Sequence, residues 1–338
     1  MQMREVAEIC KDKIRKIDYN HLDISDYNRK YIQKIIPHIN YYFQIYSQAI
    51  FALHCKDEAQ NNTEPHPKPL STLIVDFGGG HGFLSLFLKS LGYRVIYCDI
   101  NPLSVKTISL IKEELGFGPD YVITGSVSEL KQFCHENQLK PEALIATDLI
   151  EHVYDLQDFF RQLSQINPNL EMIFTTGSNP ENPYKCSRLR RYMTQEEKVY
   201  FIKRKEFIQL NANHLTEAEA NTLSKRSRGK IYSDILKILD SYQKTGNFPL
   251  PLDDAFNTCD PETGNWTERI LSFKTYKQLA SEAGFQAIFI RGFYNEERIS
   301  NSGLKLVLRL LNFCIRKSGK FGFKLAPYIL IKLSPKYG

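Results

Sequence analysis

Three features of the sequence predict an α/β protein whose parallel sheet is covered by helices on both faces. Short apolar runs alternate with helical patterns between residues 71 and 178. A glycine-rich turn joins the first apolar run to the helix that follows it. The alternation stops near Pro180 and resumes at Ser272. Strands and helices that alternate in this way form β-α-β units and a parallel sheet.

Most predicted elements have a recognisable signal at one end. The first strand is the apolar run 73–77, and the helix at 82–91 stops before Gly92, a residue type that suits the position after a helix. Asn101 and Pro102 suit the cap and first position of the next helix, which stops before Gly116. The other predicted elements are strands at 94–98, 121–124, 143–146, 172–176, 285–291 and 328–333, and helices at 156–166, 272–283 and 304–315.

Two helical regions lie outside this alternation. Residues 1–60 are predicted to form an N-terminal helical cap, and residues 61–70, rich in Asn and Pro, a linker. Residues 71–179 and 267–338 form the predicted sheet domain. Residues 180–266 are predicted as a helical insertion after the fifth strand, with helices at 194–205 and 216–223; Thr216 and Glu219 have capping-box spacing.

The turn Asp76-Phe77-Gly78-Gly79-Gly80-His81-Gly82 carries the strongest functional signal. Its glycines permit a tight turn and close approach of a ligand to the backbone, at the carboxyl end of the first strand. Asp99 ends the second strand, where a carboxylate can accept hydrogen bonds from both ribose hydroxyls of an adenosyl group.

A dinucleotide site is the rival interpretation of this turn. Its G-x-G-x-x-G pattern fails here, because Phe83 occupies the position of the third glycine. The Asp76 carboxylate favours a cationic sulfonium, whereas it would repel a pyrophosphate. A glycine turn without any ligand is the purely structural alternative.

These residues resemble the first two motifs of the class I S-adenosylmethionine-dependent methyltransferases. The stretch from Thr147 to Val153 is similar to the L-E-H-V segment of the branch that includes ubiquinone-biosynthesis O-methyltransferases. Residues 269–272 and 283–285 resemble its R-F-F-S and A-G-F signatures. The resemblance covers 71–178 and 266–335. It implies a Rossmann-like doubly wound sheet, mostly parallel with one antiparallel strand, in the order 3-2-1-4-5-7-6, and S-adenosyl-L-methionine as cofactor.

The resemblance also implies roles for individual residues. Gly78, Gly80 and Gly82 would contact the methionine and ribose parts of the cofactor. Asp76 would hold its amino end, through water or directly, and Asp99 the ribose. Ile100 would lie against the adenine, and Ser126 replaces the Asp that the family often has at the adenine edge. The predicted cofactor residues are Asp76, Gly78, Gly79, Gly80, Gly82, Asp99, Ile100, Ser126, Val127, Asp148 and Leu149.

Two histidines are candidates for a general base, which is needed only if the acceptor carries a proton at neutral pH. His152 is the first candidate, although a histidine at the start of a helix also commonly hydrogen-bonds the backbone. His214 is the second, and a surface position is its alternative interpretation. His81 lies inside the glycine turn and is expected to shape it.

Acceptor recognition is predicted in the regions that depart from the sheet domain. Aromatic side chains of the N-terminal region could form walls of a pocket, and arginines after the fifth strand could hold a carboxylate or phosphate, a solvated helix face being the alternative. The predicted acceptor residues are Tyr27, Tyr31, Tyr42, Tyr46, Asn179, Tyr184, Arg188 and Arg191.

Positive charge is concentrated near the C-terminus. The chain has 44 Lys and Arg against 38 Asp and Glu, a net charge of +6, and residues 303–338 contain eight cations and no acid. Leu304, Val307, Leu308, Leu311 and Ile315 have helical spacing. We expect this face to cover the sheet; weak contact with a membrane surface or an anionic substrate is the second interpretation.

The sequence thus predicts a methyltransferase that acts on an oxygen or nitrogen of a small molecule, of secondary-metabolite or glycan type. The alternatives are an RNA, protein or membrane-associated lipid acceptor, and a non-catalytic scaffold. Nucleic acid is not an expected partner, since no RNA-binding module is visible. The seven cysteines are scattered and form no CxxC pair, so we expect no metal site. The same scatter argues against a disulfide framework, and the first residues do not have the pattern of a signal peptide, so we expect a cytoplasmic protein. The oligomeric state stays open.

Overall fold

The computed structural model describes residues 2–54, 72–297 and 299–336, so that the predicted linker at 61–70 lies outside the described residues. These residues form two compact units. The first contains residues up to 149, 157–176 and those from 273 onwards; the second contains 150–156 and 177–272.

A seven-stranded sheet in the order β3-β2-β1-β4-β5-β7-β6 forms the first unit, which confirms the predicted order. The strands are β1 (Leu73–Phe77), β2 (Arg94–Asp99), β3 (Tyr121–Thr124), β4 (Ala143–Thr147), β5 (Glu171–Thr176), β6 (Phe285–Arg291) and β7 (Ile329–Pro335). β7 runs antiparallel to both β5 and β6, and the pairs among β1 to β5 are parallel. β1 is buried along its whole length, as expected for a strand covered on both faces.

The helices that accompany these strands are α4 (Phe83–Ser90), α5 (Pro102–Leu115), α6 (Val127–Glu136), α7 (Leu156–Ile166), α11 (Phe273–Glu282), α12 (Ser302–Lys317) and α13 (Gly322–Leu325). Five of them lie within two residues of their predicted bounds, whereas α6 and α13 were not predicted. Asn101 accepts a hydrogen bond from the Leu103 backbone at the start of α5, and Gly116 ends that helix with a φ of 66°. Side-chain caps and left-handed glycines satisfy backbone groups that have no partner inside the helix.

The N-terminal helices α1 (Met3–Lys16), α2 (Asp26–Ile35) and α3 (Ile39–His54) share one hydrophobic core with the sheet. Ile14 and Phe43 lie in this core together with Val95 and Leu330 of the strands. The Lys332 ammonium of β7, almost fully buried, donates to the Ala52 carbonyl 2.9 Å away. The predicted cap region therefore contributes to the interior of the first unit.

The second unit is helical. It contains α8 (Pro183–Asn211), α9 (Glu217–Arg226) and α10 (Tyr232–Thr245). Thr216 and Glu219 form the predicted capping box of α9, whereas α8 is much longer than the predicted helix at 194–205. α10 was not predicted; it packs Ile235 and Leu239 against Ile208 and Leu223.

One predicted helix face is wrong in part. Ile315 of α12 is buried, but Leu304 and Val307, assigned to the same sheet-covering face, are exposed. Among the described residues no helix has the length and apolar character needed to cross a membrane.

Candidate cofactor and active site

The glycine turn has the left-handed backbone that the sequence pattern requires. Gly78, Gly80 and Gly82 have φ values of 66°, 53° and 77°. The Gly78 amide donates to the Cys98 carbonyl at 2.8 Å, which ties the turn to the end of β2. The Gly82 amide donates to the Gly79 carbonyl at 2.8 Å and leads directly into α4.

Side chains crowd three of these glycines and leave the fourth open. A Cβ on Gly78 would lie 2.1 Å from Leu149 Cδ1, on Gly82 2.2 Å from Ile108 Cδ1, and on Gly79 2.5 Å from the Tyr97 ring. A Cβ on Gly80 would meet no atom within 4 Å. Side chains of the sheet domain thus pack against Gly78, Gly79 and Gly82, whereas the backbone of Gly80 is left uncovered. A ligand could approach the backbone there, and we call this open position the cradle at Gly80.

Asp99 is held at the edge of this cradle. Its Oδ2 accepts a 2.8 Å hydrogen bond from the Gly80 amide, and its Oδ1 accepts one of 2.8 Å from the Asn101 amide. Burial raises the pKa of Asp99, while these two hydrogen bonds oppose the rise. The next residue, Ile100, exposes 74% of its surface. The structure therefore places an oriented carboxylate beside Gly80, and the residue that follows this carboxylate in the chain has an exposed apolar side chain.

Asp76 lies beneath the turn. It is buried, and its Oδ2 accepts a 2.7 Å hydrogen bond from the Ser85 hydroxyl. Burial raises the pKa of Asp76 to about 7, and the neighbouring Asp99 adds to the rise. In this position Asp76 supports the turn from the strand side, which favours an indirect contact with a ligand over a direct one.

Two supporting residues were missed by the sequence analysis. The Tyr97 hydroxyl donates to the Gly80 carbonyl at 2.6 Å, and Ser85 holds Asp76. Tyr97 pairs with Asp76 in the register of β1 and β2. A tyrosine inside an otherwise apolar buried strand was the available signal, because a buried hydroxyl needs a hydrogen-bond partner.

The segment after β3 contains Ser126, the N-cap residue of α6. The Ser126 hydroxyl donates to Glu129 Oε2 at 2.6 Å, and the Ser126 amide donates to the same oxygen at 2.6 Å. Val127, the first residue of α6, is buried. The Gly125 amide donates to the Asp99 carbonyl at 2.9 Å, which joins this segment to the end of β2.

The residue after β4 has an unusual backbone conformation. Asp148 has a φ of 54°, in the left-handed region that non-glycine residues seldom adopt. Its amide donates to the Thr175 carbonyl at 3.0 Å. Asp148 is exposed, while Leu149 packs against Gly78. Backbone strain of this kind clusters at functional sites, because surrounding structure must hold it in place.

Tyrosines from the N-terminal helices surround this acidic end of the sheet. The pKa values of Tyr31, Tyr41 and Tyr46 are raised by loss of hydration first, and the Asp148 carboxylate contributes to all three. Tyr42 contributes to the same three shifts. Tyr31 exposes 42% of its surface, whereas the predicted acceptor residue Tyr46 is buried and exposes 3%.

The turn histidine and two aromatic neighbours complete the lining of the first unit. The His81 Nδ1 accepts a hydrogen bond from the Phe83 amide at 3.1 Å, and burial lowers the pKa of His81 to about 3. The ring centres of Tyr31 and His81 are 5.9 Å apart, and Tyr31 stacks on the exposed Tyr27 at 6.2 Å. His81 is therefore a neutral residue that shapes the turn.

The remaining predicted site residues belong to the second unit. Tyr184, Arg188 and Arg191 are exposed at i, i+4 and i+7 spacing on α8, so that they share one helix face. Asn179 is fully buried, and its Oδ1 accepts a hydrogen bond from the Glu181 amide.

The two candidate bases differ in setting. His152 Nδ1 lies 2.8 Å from the Trp266 carbonyl, so that it carries the proton and donates. This bond matches the structural interpretation of His152 and leaves Nε2 as the basic nitrogen. His214 is exposed. In the part of the chain that the structure describes, no group of three or more His, Cys, Asp or Glu side chains could hold a metal ion.

Comparison with known proteins finds similarity to O-methyltransferases. The chain is 30% identical over 126 residues, 36% of its length, to the mitochondrial ubiquinone biosynthesis O-methyltransferase of Homo sapiens. It is 29% identical over 112 residues to the ubiquinone biosynthesis O-methyltransferase of Rickettsia prowazekii (strain Madrid E). These matches cover 33% and 42% of the relatives' own lengths. No family model matches the chain.

Solved structures align more loosely. Magnesium protoporphyrin IX methyltransferase from Synechocystis PCC 6803, with bound SAH, aligns over 98% of this chain and 97% of its own, at 14% identity and a TM-score of 0.39. A TM-score of this size carries no weight for fold or function, so the fold assignment depends on the observed strand order.

Proposed function

We propose that this chain is an S-adenosylmethionine-dependent methyltransferase that methylates an oxygen of a small-molecule acceptor. The observation that carries the proposal is the cradle at Gly80, where an open left-handed glycine is bonded through its amide to Asp99. Similarity to O-methyltransferases supports the reaction class and favours oxygen over nitrogen.

The residues present fit an adenosyl cofactor. When bound, S-adenosylmethionine supplies a methyl group on a sulfonium, whose sulfur is a good leaving group. Asp99 would accept the ribose hydroxyls, because its oxygens have lone pairs left after the two amide bonds. Ile100 would cover the adenine and Ser126 its edge, while the bare backbone at Gly80 permits close approach.

The chain's own contribution to catalysis is alignment of the acceptor in a site shielded from water. Tyr31 and Tyr42 would provide aromatic walls and hydroxyls, whereas Tyr46 lies in the hydrophobic core behind them. Tyr27, Tyr184, Arg188 and Arg191 stay predictions from the sequence, and the fully buried Asn179 is withdrawn as an acceptor contact. If the acceptor is a hydroxyl protonated at neutral pH, His152 would take its proton at Nε2, since Nδ1 is engaged by Trp266.

Calorimetric titration with S-adenosylmethionine tests the cofactor proposal. Gly80→Arg fills the open space above the turn and is expected to weaken binding more than a hundredfold, an energy of about 3 kcal/mol. Gly116→Arg is the matched control, because Gly116 also has a left-handed φ of 66° and open space at its Cβ, but ends α5. Absence of binding by the wild type, or equal binding by Gly80→Arg, contradicts the proposal.

Isotope transfer identifies the acceptor class. Methyl-labelled S-adenosylmethionine is incubated with the protein and separate pools of phenols and catechols, sugars, small amines, RNA and protein. Labelling of a pool of hydroxyl compounds is expected from the similarity to O-methyltransferases, and labelling of the sugars among them would indicate the glycan type. Labelling of RNA or protein alone would replace the small-molecule proposal, and cofactor binding without transfer to any pool would favour a scaffold.

A further inference from the structure

An apolar surface covers the outer side of α12 and the turn that follows it. Leu306, Leu310 and Phe313 lie at i, i+4 and i+7 and expose 58%, 58% and 53% of their surfaces. Val307 flanks this stripe, and Phe321 in the turn Gly319–Phe321 is exposed by 56%. We call these five residues the α12 face. Contiguous exposed apolar side chains of this kind mark an interaction site, whereas single ones need no explanation.

A buried asparagine fixes the rotation of α12. The Asn312 amide nitrogen donates to the Tyr294 carbonyl and to Glu296 Oε1, both at 3.0 Å, and Asn312 Oδ1 accepts from the Tyr294 amide at 2.7 Å. Ile315 is buried on the same side. Turning the α12 face inward would break all three hydrogen bonds. The apolar stripe is therefore held outward by polar contacts on the opposite side of the helix.

Cations border the α12 face. Arg316, Lys317 and Lys320 are exposed at its C-terminal end, and Lys324 lies over the Phe321 ring at 5.8 Å. No acidic residue occurs between residues 303 and 338. Arg309 is neutralised by Glu296, at 3.0 Å. The border thus keeps a net positive charge beside exposed Leu and Phe side chains.

We propose that the α12 face lies on an anionic lipid surface, with Leu310 and Phe313 among the acyl chains and the bordering cations at the headgroups. Exposed apolar residues on one helix side with Lys and Arg beside them have the chemistry of an interfacial helix. A second copy of the chain fits less well, because a symmetric contact through this face would bring like charges together. This proposal is independent of the methyl-transfer proposal.

Vesicle co-sedimentation of the full chain tests the lipid proposal. Phosphatidylcholine vesicles with and without phosphatidylglycerol are compared at low and high salt. Binding is expected only with phosphatidylglycerol and is expected to fall with salt. Leu310→Glu with Phe313→Glu should lower binding by at least about tenfold. Arg316→Gln, Lys317→Gln and Lys320→Gln together should lower it by about fivefold for each charge removed.

The matched control variant introduces two glutamates at exposed leucines outside the α12 face. Leu210 and Leu250 are exposed by 83% and 89% but lie in the second unit, so Leu210→Glu with Leu250→Glu should bind vesicles as the wild type does. Circular dichroism of each variant must match the wild type. Vesicle binding equal to wild type by the folded Leu310→Glu, Phe313→Glu variant overturns the proposal, as does absence of binding by the wild type.

A fluorescent reporter separates insertion from surface attraction and from self-association. The chain has one tryptophan, Trp266, which is buried, so Phe313→Trp adds an exposed emitter to a constant background. A blue shift on anionic vesicles, with quenching by brominated acyl chains, is expected. Unchanged emission on bound vesicles overturns the acyl-chain contact. A wild-type dimer in light scattering that Leu310→Glu, Phe313→Glu dissociates, without vesicle binding, assigns the face to a second copy instead.

Discussion

Asp76 supports the glycine turn, but its buried carboxylate lowers the stability of the folded chain when it is ionised. Its carboxyl group is buried and bonded to Ser85, and its pKa is about 7 in the folded chain against an ordinary value of 3.8. Between about pH 4 and 7 the unfolded chain releases this proton while the folded chain keeps it. The contribution of Asp76 to the free energy of unfolding therefore falls as pH rises through this window.

Asp76→Asn should remove this pH-dependent loss while an amide oxygen still accepts from Ser85. We expect the variant to exceed the wild type in stability at pH 8, by up to about 4 kcal/mol, and to match it near pH 4. Urea unfolding at a series of pH values measures the difference in free energy of unfolding between the two proteins. The contribution of His81 is the same in both proteins and cancels in this difference. Equal or lower stability of the variant at pH 8 would refute the buried-carboxylate interpretation.

Asp120 provides a control, because its contribution to stability changes with pH in the opposite direction to that of Asp76. Hydrogen bonds from Lys89 and the Val95 amide lower the pKa of Asp120 against the opposing effect of burial, so its contribution to stability is present above the ordinary pKa and lost as pH falls. Asp120→Asn should therefore be less stable than the wild type at pH 8, and this difference should shrink in acid.

At the scale of elements, the side chain of Asn28 hydrogen-bonds helix α2 to α5. The buried Asn28 amide nitrogen donates to the Leu103 carbonyl at 2.9 Å and to Thr107 Oγ1 at 2.8 Å. α2 carries Tyr27 and Tyr31, two of the proposed acceptor contacts. The position of these tyrosines relative to the glycine turn therefore depends on Asn28.

Asn28→Ala should lower the free energy of unfolding by about 1–3 kcal/mol, because it removes two hydrogen bonds from a buried site. Asn211→Ala is the control: its amide nitrogen also donates to a carbonyl, Phe207 at 2.8 Å, but in an exposed position within α8. We expect the control to change stability by less than about 0.5 kcal/mol. Denaturant unfolding of both variants decides; similar small changes would mean that Asn28 does not secure α2.

At the scale of the whole molecule, the N-terminal helices are part of the first unit's interior. Ile14 and Phe43 share its core with the strands, and Lys332 of β7 donates to the Ala52 carbonyl of α3. Removal of residues 1–54 would expose this core and take away a hydrogen-bond acceptor from a buried ammonium. We therefore expect that the first unit does not fold stably without these helices.

Ile14→Asp should abolish the cooperative unfolding transition or lower its midpoint strongly, because it buries an unpaired charge in the core. Ile9→Asp, on the same helix at a side chain 48% exposed, should leave the transition near that of the wild type. Differential scanning calorimetry compares them. A truncated chain lacking residues 1–54 that unfolds cooperatively at the wild-type temperature would contradict the shared core.

The glycine turn, the strand order and the ends of five helices of the first unit could be predicted from the sequence. Left-handed glycines, cap residues and apolar strand runs act over a few neighbouring residues, and the resemblance at Asp76 to Gly82 and at Asp99 supplied the sheet order. Tyr97 and Ser85 were missed because their roles require β1, β2 and α4 to be side by side. α10 was missed because its apolar residues are recognisable as a core only beside α8 and α9.

The sequence by itself determined which backbone positions form the left-handed turn after β1, since only glycine adopts the required conformations cheaply at Gly78, Gly80 and Gly82. Only the tertiary structure decided which apolar stripe of α12 is buried. Helical spacing identifies apolar residues on both sides of that helix, but burial depends on distant partners, here Tyr294 and Glu296, that hold Asn312 inward. The same reason explains why the N-terminal helices proved to be core: contacts between residues far apart in the chain are set by packing, which local patterns do not encode.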